Sequence, residues 1–440
     1  MVLDFLTPST LIRKTREYIR KLWVRVLMMG VLSIVALGLT HLLSDVVPRE
    51  IDNWLTENAT TRLLDIIANA MLAVTIFSIT IMVSVYQASS SQWTPRVHRL
   101  ILQDPTTQNT IAVFIGAYVY ALVAVVMMEL GVFDSQRSFL LFLTTVGVLV
   151  LIVVYLIRWV LHLQTFGSLI DTTRQIEDVT VRQFKERLKN PCLGANPLTG
   201  DVPRDAEAIR VEQSGYIQHI YPEALQAVAE AHGVEIYLTN SIGHFIFVNE
   251  PLVMVAKRGT PKDDEHDRDS LESAVRDNIR IGDLRTFDQD PRFGLVVMGE
   301  VGSKALSPGV NDPGTAIDAI TRIGRILSLY LDETKTEPED RLSHLYVLPI
   351  RPDELIEDGF GALARDGAAI VEVQQRLQAV LSGLMRHSDD GLSKAARAAA
   401  EMHLRRALQA TEFAPDCDRL LASARSDVRD AVAAKAQAAE

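Results

Sequence analysis

The sequence has little that marks an enzyme, a metalloprotein or a disulfide-stabilised secreted protein. Only two cysteines occur, Cys192 and Cys417, and their spacing is not that of metal ligands. The ten histidines are scattered without metal-ligand spacing, and the motifs H-E-x-x-H, G-x-S-x-G and G-x-x-x-x-G-K-[ST] are absent. The sequence therefore predicts no cofactor and no metal site, and its cysteine content suits a reducing compartment.

Long apolar runs are present, and they are concentrated in the first 165 of the 440 residues. Four stretches reach the roughly 20 residues that a helix needs to cross a bilayer. They cover about residues 22–43, 63–86, 111–130 and 139–161. We therefore expect residues 1–165 to form a transmembrane domain of four helices.

Basic residues predict the orientation of these helices. Lys and Arg cluster before the first span, between the second and third, and after the fourth, which places these segments in the cytoplasm. Both termini are then cytoplasmic, in a multi-pass protein that contacts membrane lipid.

The charge is divided unevenly along the chain. Residues 1–165 carry 12 Lys and Arg against 10 Asp and Glu, whereas the remainder carries 32 against 45. This acidic remainder disfavours nucleic acid and anionic lipid as its partners. It either concentrates cations near a pore mouth or serves only as a solvated, solubilising surface.

Polar residues recur within the second apolar stretch at Thr80, Ser84, Gln87 and Ser91. Their spacing of 4, 3 and 4 residues places them on one face of a helix. Polar groups in hydrocarbon need a partner or water, so this face lines a conduction path or packs against another helix. Gln87 favours the first interpretation, because packing alone rarely satisfies an amide.

The rest of the chain predicts an α+β domain at 166–360, with a small sheet or open barrel, and a helical region at 361–440. Residues 169–188 have helical periodicity and are expected to continue the fourth span. Strands are predicted at 234–239, 245–248, 252–256, 279–284 and 345–348. Three helices are predicted at about 367–387, 392–410 and 416–439, the last frayed or held by a neighbouring subunit.

Two motifs flank a predicted helix at about 290–306. Asp312 has the properties of an N-cap, and Pro313 suits the first helical position. A set of polar residues within the motifs either forms a ligand or ion site or fixes two loops through a buried network, with Asp312 a simple cap. The set comprises Arg285, Gln289, Asp290, Asn311, Asp312 and Thr315.

These motifs resemble a bacterial family of predicted membrane proteins, domain of unknown function 2254. Its pattern is close to R-T-x-x-Q-D-x-x-F-G-L followed by A-L-S-P-x-x-N-D-P-x-T-A, which residues 285–295 and 305–316 match. The resemblance extends to residues 87–96 and covers most of residues 20–385. It implies a membrane protein with a cytoplasmic domain and, for this chain, the inner membrane, but it implies no activity.

The leading functional hypothesis is an oligomeric, channel-like protein with an acidic cytoplasmic vestibule, conducting cations. A homo-oligomer is expected, with an ion or a small ligand as a further partner. The alternatives are a non-conducting scaffold or ligand sensor, and a membrane-bound enzyme that uses Asp290 and Asp312.

Overall fold

The computed structural model describes residues 22–43, 57–102, 104–131, 138–257, 265–335 and 341–437. The chain divides into an N-terminal unit, up to Thr172, and a C-terminal unit from Thr173 onward. The helices of the N-terminal unit are α1 (Leu22–Leu43), α2 (Glu57–Gln92), α3 (Pro95–Leu102), α4 (Pro105–Glu129) and α5 (Ser138–Leu163). Within the described residues, four candidate membrane spans are long and apolar enough to cross a bilayer, at Trp23–Thr40, Ala59–Ser89, Pro95–Glu129 and Leu140–Leu163.

The helix α4 is the most buried of these candidate spans. Phe114 and Tyr120 are fully buried within the unit, and Gly116 allows α1 to approach closely. A Cβ at Gly116 would lie 2.9 Å from Met29 Cβ, and the Ser33 hydroxyl donates to the Gly116 carbonyl at 3.0 Å. Small residues permit such close packing of apolar helices.

The fourth span does not continue unbroken into the next helix, contrary to the sequence prediction. Helix α5 ends at Leu163, and α6 covers Leu169–Lys189. Between them Gly167 has a φ of +80°, a left-handed conformation that ends helices. The Ser168 hydroxyl then accepts a hydrogen bond from Asp171 N at 3.2 Å, which starts α6.

The C-terminal unit has the predicted α+β fold, and its described strands form two small sheets. The strands are β1 (Ala195–Pro197), β2 (Glu207–Arg210), β3 (Gly215–Ile220), β4 (Val234–Leu238), β5 (Phe245–Ile246), β6 (Pro251–Lys257), β7 (Ile279–Gly282) and β8 (Leu342–Val347). One sheet has the order β1-β8-β4-β6-β2 and the other the order β5-β3-β7. Strand β8 is parallel to both β1 and β4, and the other pairings are antiparallel.

The remaining helices of this unit are α7 (Pro222–His232), α8 (Glu265–Asp277), α9 (Pro291–Ala305), α10 (Pro313–Leu327), α11 (Pro352–Asp366), α12 (Val371–Leu384), α13 (Asp390–Ala410), α14 (Ala414–Ser423) and α15 (Ser426–Gln437). Helix α11, which contains residue 360, packs against α9 earlier in the chain and against α13 later in the chain. The helices before and after residue 360 are therefore packed together. The final predicted helix is divided into α14 and α15. Both pack on α13 of the same chain, with Leu420 and Val428 buried, so this segment is covered without a neighbouring subunit.

Candidate functional sites

The polar residues predicted to line a path lie on the outer surface of the N-terminal unit. Thr80, Ser84 and Gln87 are exposed on α2, whereas Leu64 and Ile67 are buried on the opposite face of the helix. The Thr80 hydroxyl donates to Ile76 O at 2.9 Å and the Ser84 hydroxyl to Thr80 O at 3.0 Å. Packing between helices of the same chain therefore does not explain this face. The side chain of Ser91 lies outside the described residues.

The polar face of α2 extends further toward the start of the helix than was predicted from residues 80–91. Asn69 is exposed three helical turns before Thr80, on the same face, and its amide donates to Asp65 O at 2.9 Å. Ala73 is the exposed small residue between them. We call Asn69, Ala73, Thr80, Ser84 and Gln87 the α2 stripe. From Asn69 to Gln87 it extends about 27 Å along the helix, close to the thickness of a bilayer's hydrocarbon core.

Polar residues in the other spans make hydrogen bonds among themselves. The hydroxyl of Tyr120 on α4 lies 3.2 Å from Thr144 Oγ1 and 3.1 Å from Thr145 Oγ1 on α5. Thr145 is fully buried. These three hydroxyl groups are thus bonded to one another and not to the α2 stripe.

A contact between one histidine and one aspartate, which was not recognised from the sequence, joins α4 and α5. His162 Nε2 lies 3.0 Å from Asp104 Oδ2, and the same oxygen accepts from Thr107 N and Thr107 Oγ1 at 2.7 Å. Asp104 is thus both the N-cap of α4 and the partner of His162. An ionisable residue next to an apolar span was the sequence signal that could have identified it.

In the C-terminal unit, the buried Asp290 forms an ion pair with the partly exposed Arg285. Arg285 Nε lies 2.7 Å from Asp290 Oδ2 and Nη2 lies 3.2 Å from Oδ1, while Asp290 also accepts Phe293 N at 3.0 Å as the N-cap of α9. Burial raises the pKa of Asp290, and the neighbouring Arg285 opposes this shift. Gly243, with a φ of +83°, makes room for the pair, because a Cβ there would lie 2.1 Å from Asp290 Oδ2.

The side chain of Gln289, next to this pair, hydrogen-bonds to the backbone. Its side-chain amide accepts Ile220 N at 2.9 Å and donates to Ile220 O at 3.0 Å, which continues the hydrogen bonding of β3. Gln289 N donates to Gln183 Oε1 on α6 at 3.0 Å. Arg285, Gln289 and Asp290 are therefore adjacent, and much of their polar capacity is used within the fold.

The other half of the predicted set lies at the opposite end of α9. Asp312 is the N-cap of α10, accepting Thr315 N at 3.1 Å and Thr315 Oγ1 at 2.5 Å, bonds that lower the pKa of Asp312. Asn311 has a φ of +50° in the turn before it. Asp312 N donates to Ala305 O at the C-terminal end of α9, about 22 Å along that helix from Asp290. Asp290 and Asp312 consequently do not form one site, and Arg285 pairs with Asp290 rather than with Asp312.

A second ion pair, between the buried Arg187 and Glu333, was not found from the sequence. Arg187 Nε donates to Glu333 Oε1 and Nη2 to Oε2, the latter at 3.1 Å. Glu333 also accepts Cys192 N at 2.9 Å and Ile350 N at 2.8 Å. Cys192 belongs to a turn of three left-handed residues, so Glu333 holds a strained segment beside the ion pair.

A small cavity that opens to solvent adjoins both ion pairs. It lies where the neighbouring parallel strands β4 and β8 end, between the segments 240–242 and 347–350, and is bordered by Asp290 and Arg292 at the start of α9. Ligands of α/β proteins commonly bind beyond the carboxyl ends of parallel strands. Among the residues that the structure describes, no group of three His, Cys, Asp or Glu is arranged to hold a metal ion.

Comparison with known proteins agrees with four apolar helices followed by an α+β region and C-terminal helices. Residues 19–383 match the family described as Predicted membrane protein (DUF2254). The chain belongs to this family. Uncharacterized proteins of Mycobacterium bovis and of two Mycobacterium tuberculosis strains are 26% identical over 285 residues, 60% of this chain. The chain matches about half, 51%, of these relatives' length, and no solved structure matches it.

Proposed function

We propose that this protein is an oligomeric, channel-like protein of the bacterial inner membrane, in which α2 helices of several copies surround a central path. The observation that carries the proposal is the position of the α2 stripe on the outer surface of the N-terminal unit. A polar surface that faces hydrocarbon is unfavourable. Thr80 and Ser84 reduce this cost by bonding to their own helix, so the proposal rests on the exposure of the stripe as a whole.

Lipid is a poor environment for this exposed polar face, whereas another copy or water would solvate it. A stripe about 27 Å long, facing a symmetry axis, would offer polar groups over nearly the full hydrocarbon thickness. Ile76 interrupts the stripe as an exposed apolar residue. A ring of Ile76 side chains from several copies would form an apolar constriction of the kind that gates pores by losing water.

The charge distribution supports cations as the conducted species. The basic residues around the spans favour cytoplasmic termini. The sequence after residue 165 has 45 acidic and 32 basic residues, so it would form an acidic vestibule at the inner mouth.

Ion flux through vesicles reconstituted with the full-length protein tests this function. Wild type should conduct, Gln87→Leu should abolish the flux by drying the path, and Ile76→Ser should increase it. Leu122→Ala, a change at an exposed residue of α4, is the control and should conduct like wild type. Absence of wild-type flux at any voltage, tension or pH would favour the alternative, a non-conducting scaffold or sensor in which the α2 stripe binds other helices.

A further inference from the structure

The cavity at the ends of β4 and β8 has hydrogen-bond donors that the fold leaves unused. Arg187 lines it and is nine-tenths buried. Its Nε and Nη2 are engaged by Glu333 and by Leu348 O, but among the described residues Nη1 has no hydrogen-bond partner. An N–H group at the cavity that the fold does not use can donate to an acceptor from outside the fold.

The guanidinium of Arg292, also at the cavity, likewise has an N–H group that the fold does not use. Arg292 Nε donates to Asp358 at 2.6 Å and Nη1 donates to Glu354, whereas Nη2 lacks a partner within the described part of the chain. The hydroxyl of Ser241, also in the lining, makes no side-chain hydrogen bond to the described residues. Two guanidinium edges and a hydroxyl are the donors that recognise carboxylate and phosphate oxygens.

The remaining lining defines the rest of the ligand. The cavity wall includes the apolar side chains of Leu193, Ile220, Ile242, Val347 and Ile350. Asp290 and Glu354 also border the cavity, where they pair with Arg285 and Arg292 respectively. These two carboxylates limit the negative charge that a ligand of the cavity can carry. These walls suit a small, partly apolar molecule with one oxyanion group.

We propose that this cavity binds a small organic anion, whose carboxylate or phosphate accepts N–H donors from Arg187 and Arg292. The site lies wholly within the C-terminal unit and is independent of the proposed pore. Glu354 competes with the ligand for Arg292, so the ligand's affinity is set partly by this carboxylate.

Calorimetric titration of the purified full-length protein in detergent, with benzoate and phenyl phosphate as probes, tests the site. We expect saturable binding of at least one probe, and the one that binds identifies the oxyanion. Arg292→Gln should weaken it about tenfold or more, as expected for a lost charge-assisted bond, and Glu354→Gln should strengthen it severalfold. Arg187 is not replaced, because removing it would leave Glu333 buried without its partner.

Arg365→Gln and Glu357→Gln are the matched controls, since neither residue lines the cavity and Arg365 pairs with Asp366 rather than with a residue of the cavity. Both should bind the probe like wild type. No saturable binding of either probe to a folded wild type would overturn the proposal. So would an Arg365→Gln variant that loses as much affinity as Arg292→Gln, because binding would then reflect general surface charge. A variant that conducts ions normally but loses probe binding separates this site from the pore.

Discussion

His403 is a histidine held neutral by its surroundings. It is 1% exposed on α13, and its Nδ1 is buried without a hydrogen-bond partner in the described structure. Burial, assisted by the charge of Arg406, lowers the pKa of His403 to about 4. The unfolded chain would instead titrate near 6.5.

The C-terminal unit should therefore lose stability in mild acid. Between pH 6.5 and 4 the unfolded state binds a proton that the folded state excludes, so the contribution of His403 is complete above pH 6.5 and falls as pH is lowered. The expected loss is about 3 kcal/mol across this window. It would be measured by chemical unfolding of the full-length protein between pH 7.5 and 4.5. His403→Leu should flatten the curve, and an unchanged pH dependence in this variant would exclude His403 as its source.

At the scale of elements, two helices of the C-terminal unit begin with the same arrangement, an Asp N-cap followed by Pro. Asp290 caps α9 and Asp312 caps α10, each accepting the backbone N–H three residues on. The two differ in environment, because Asp290 is buried and paired with Arg285, whereas the Asp312 side chain caps its own helix through Thr315.

Alanine at the two caps should have unequal effects on the free energy of unfolding. Asp312→Ala removes a cap and should cost about 1 kcal/mol. Asp290→Ala also leaves Arg285 without its partner, so a cost of about 3–5 kcal/mol is expected. Denaturant unfolding of the two full-length variants would measure the difference. Equal costs would mean that the Arg285–Asp290 pair contributes nothing beyond capping.

Elements with strong local signals could be predicted, and elements defined by distant contacts could not. The Asp312-Pro313 pair predicted the start of α10, and short apolar runs bounded by turn residues predicted β4, β6 and β8. Strands β1, β2 and β3 were missed because each gains its register from a partner far along the chain. The break between α5 and α6 was missed because Gly167 alone gives little warning of a left-handed turn.

The candidate sites show the same limit. Helical spacing was enough to place Thr80, Ser84 and Gln87 on one face of α2, although not to reveal that this face is exposed. The Arg187–Glu333 pair joins residues 146 positions apart, so no local pattern could have identified it. The two motifs around α9 were grouped because they are close in sequence, but that helix keeps them apart.

At the scale of the whole molecule, the polar side chains of the α2 stripe are exposed on the surface of a single chain. Thr80, Ser84 and Gln87 face outward together with apolar neighbours such as Leu72 and Ile79, which suit lipid. An assembly that encloses the α2 stripe would place the polar side chains against water and the apolar side chains against lipid. This separation is the central physical claim of the account.

Labelling of single introduced cysteines by a membrane-impermeant thiol reagent tests this claim most directly. The full-length protein in vesicles would carry cysteine in turn at 80, 84 and 87, or at the control positions 72 and 79, with the parent protein giving the background from Cys192 and Cys417. The account predicts labelling at 80, 84 and 87 and none above background at 72 and 79. Equal labelling of both sets, or labelling of the control positions alone, would contradict a water-filled path along the α2 stripe.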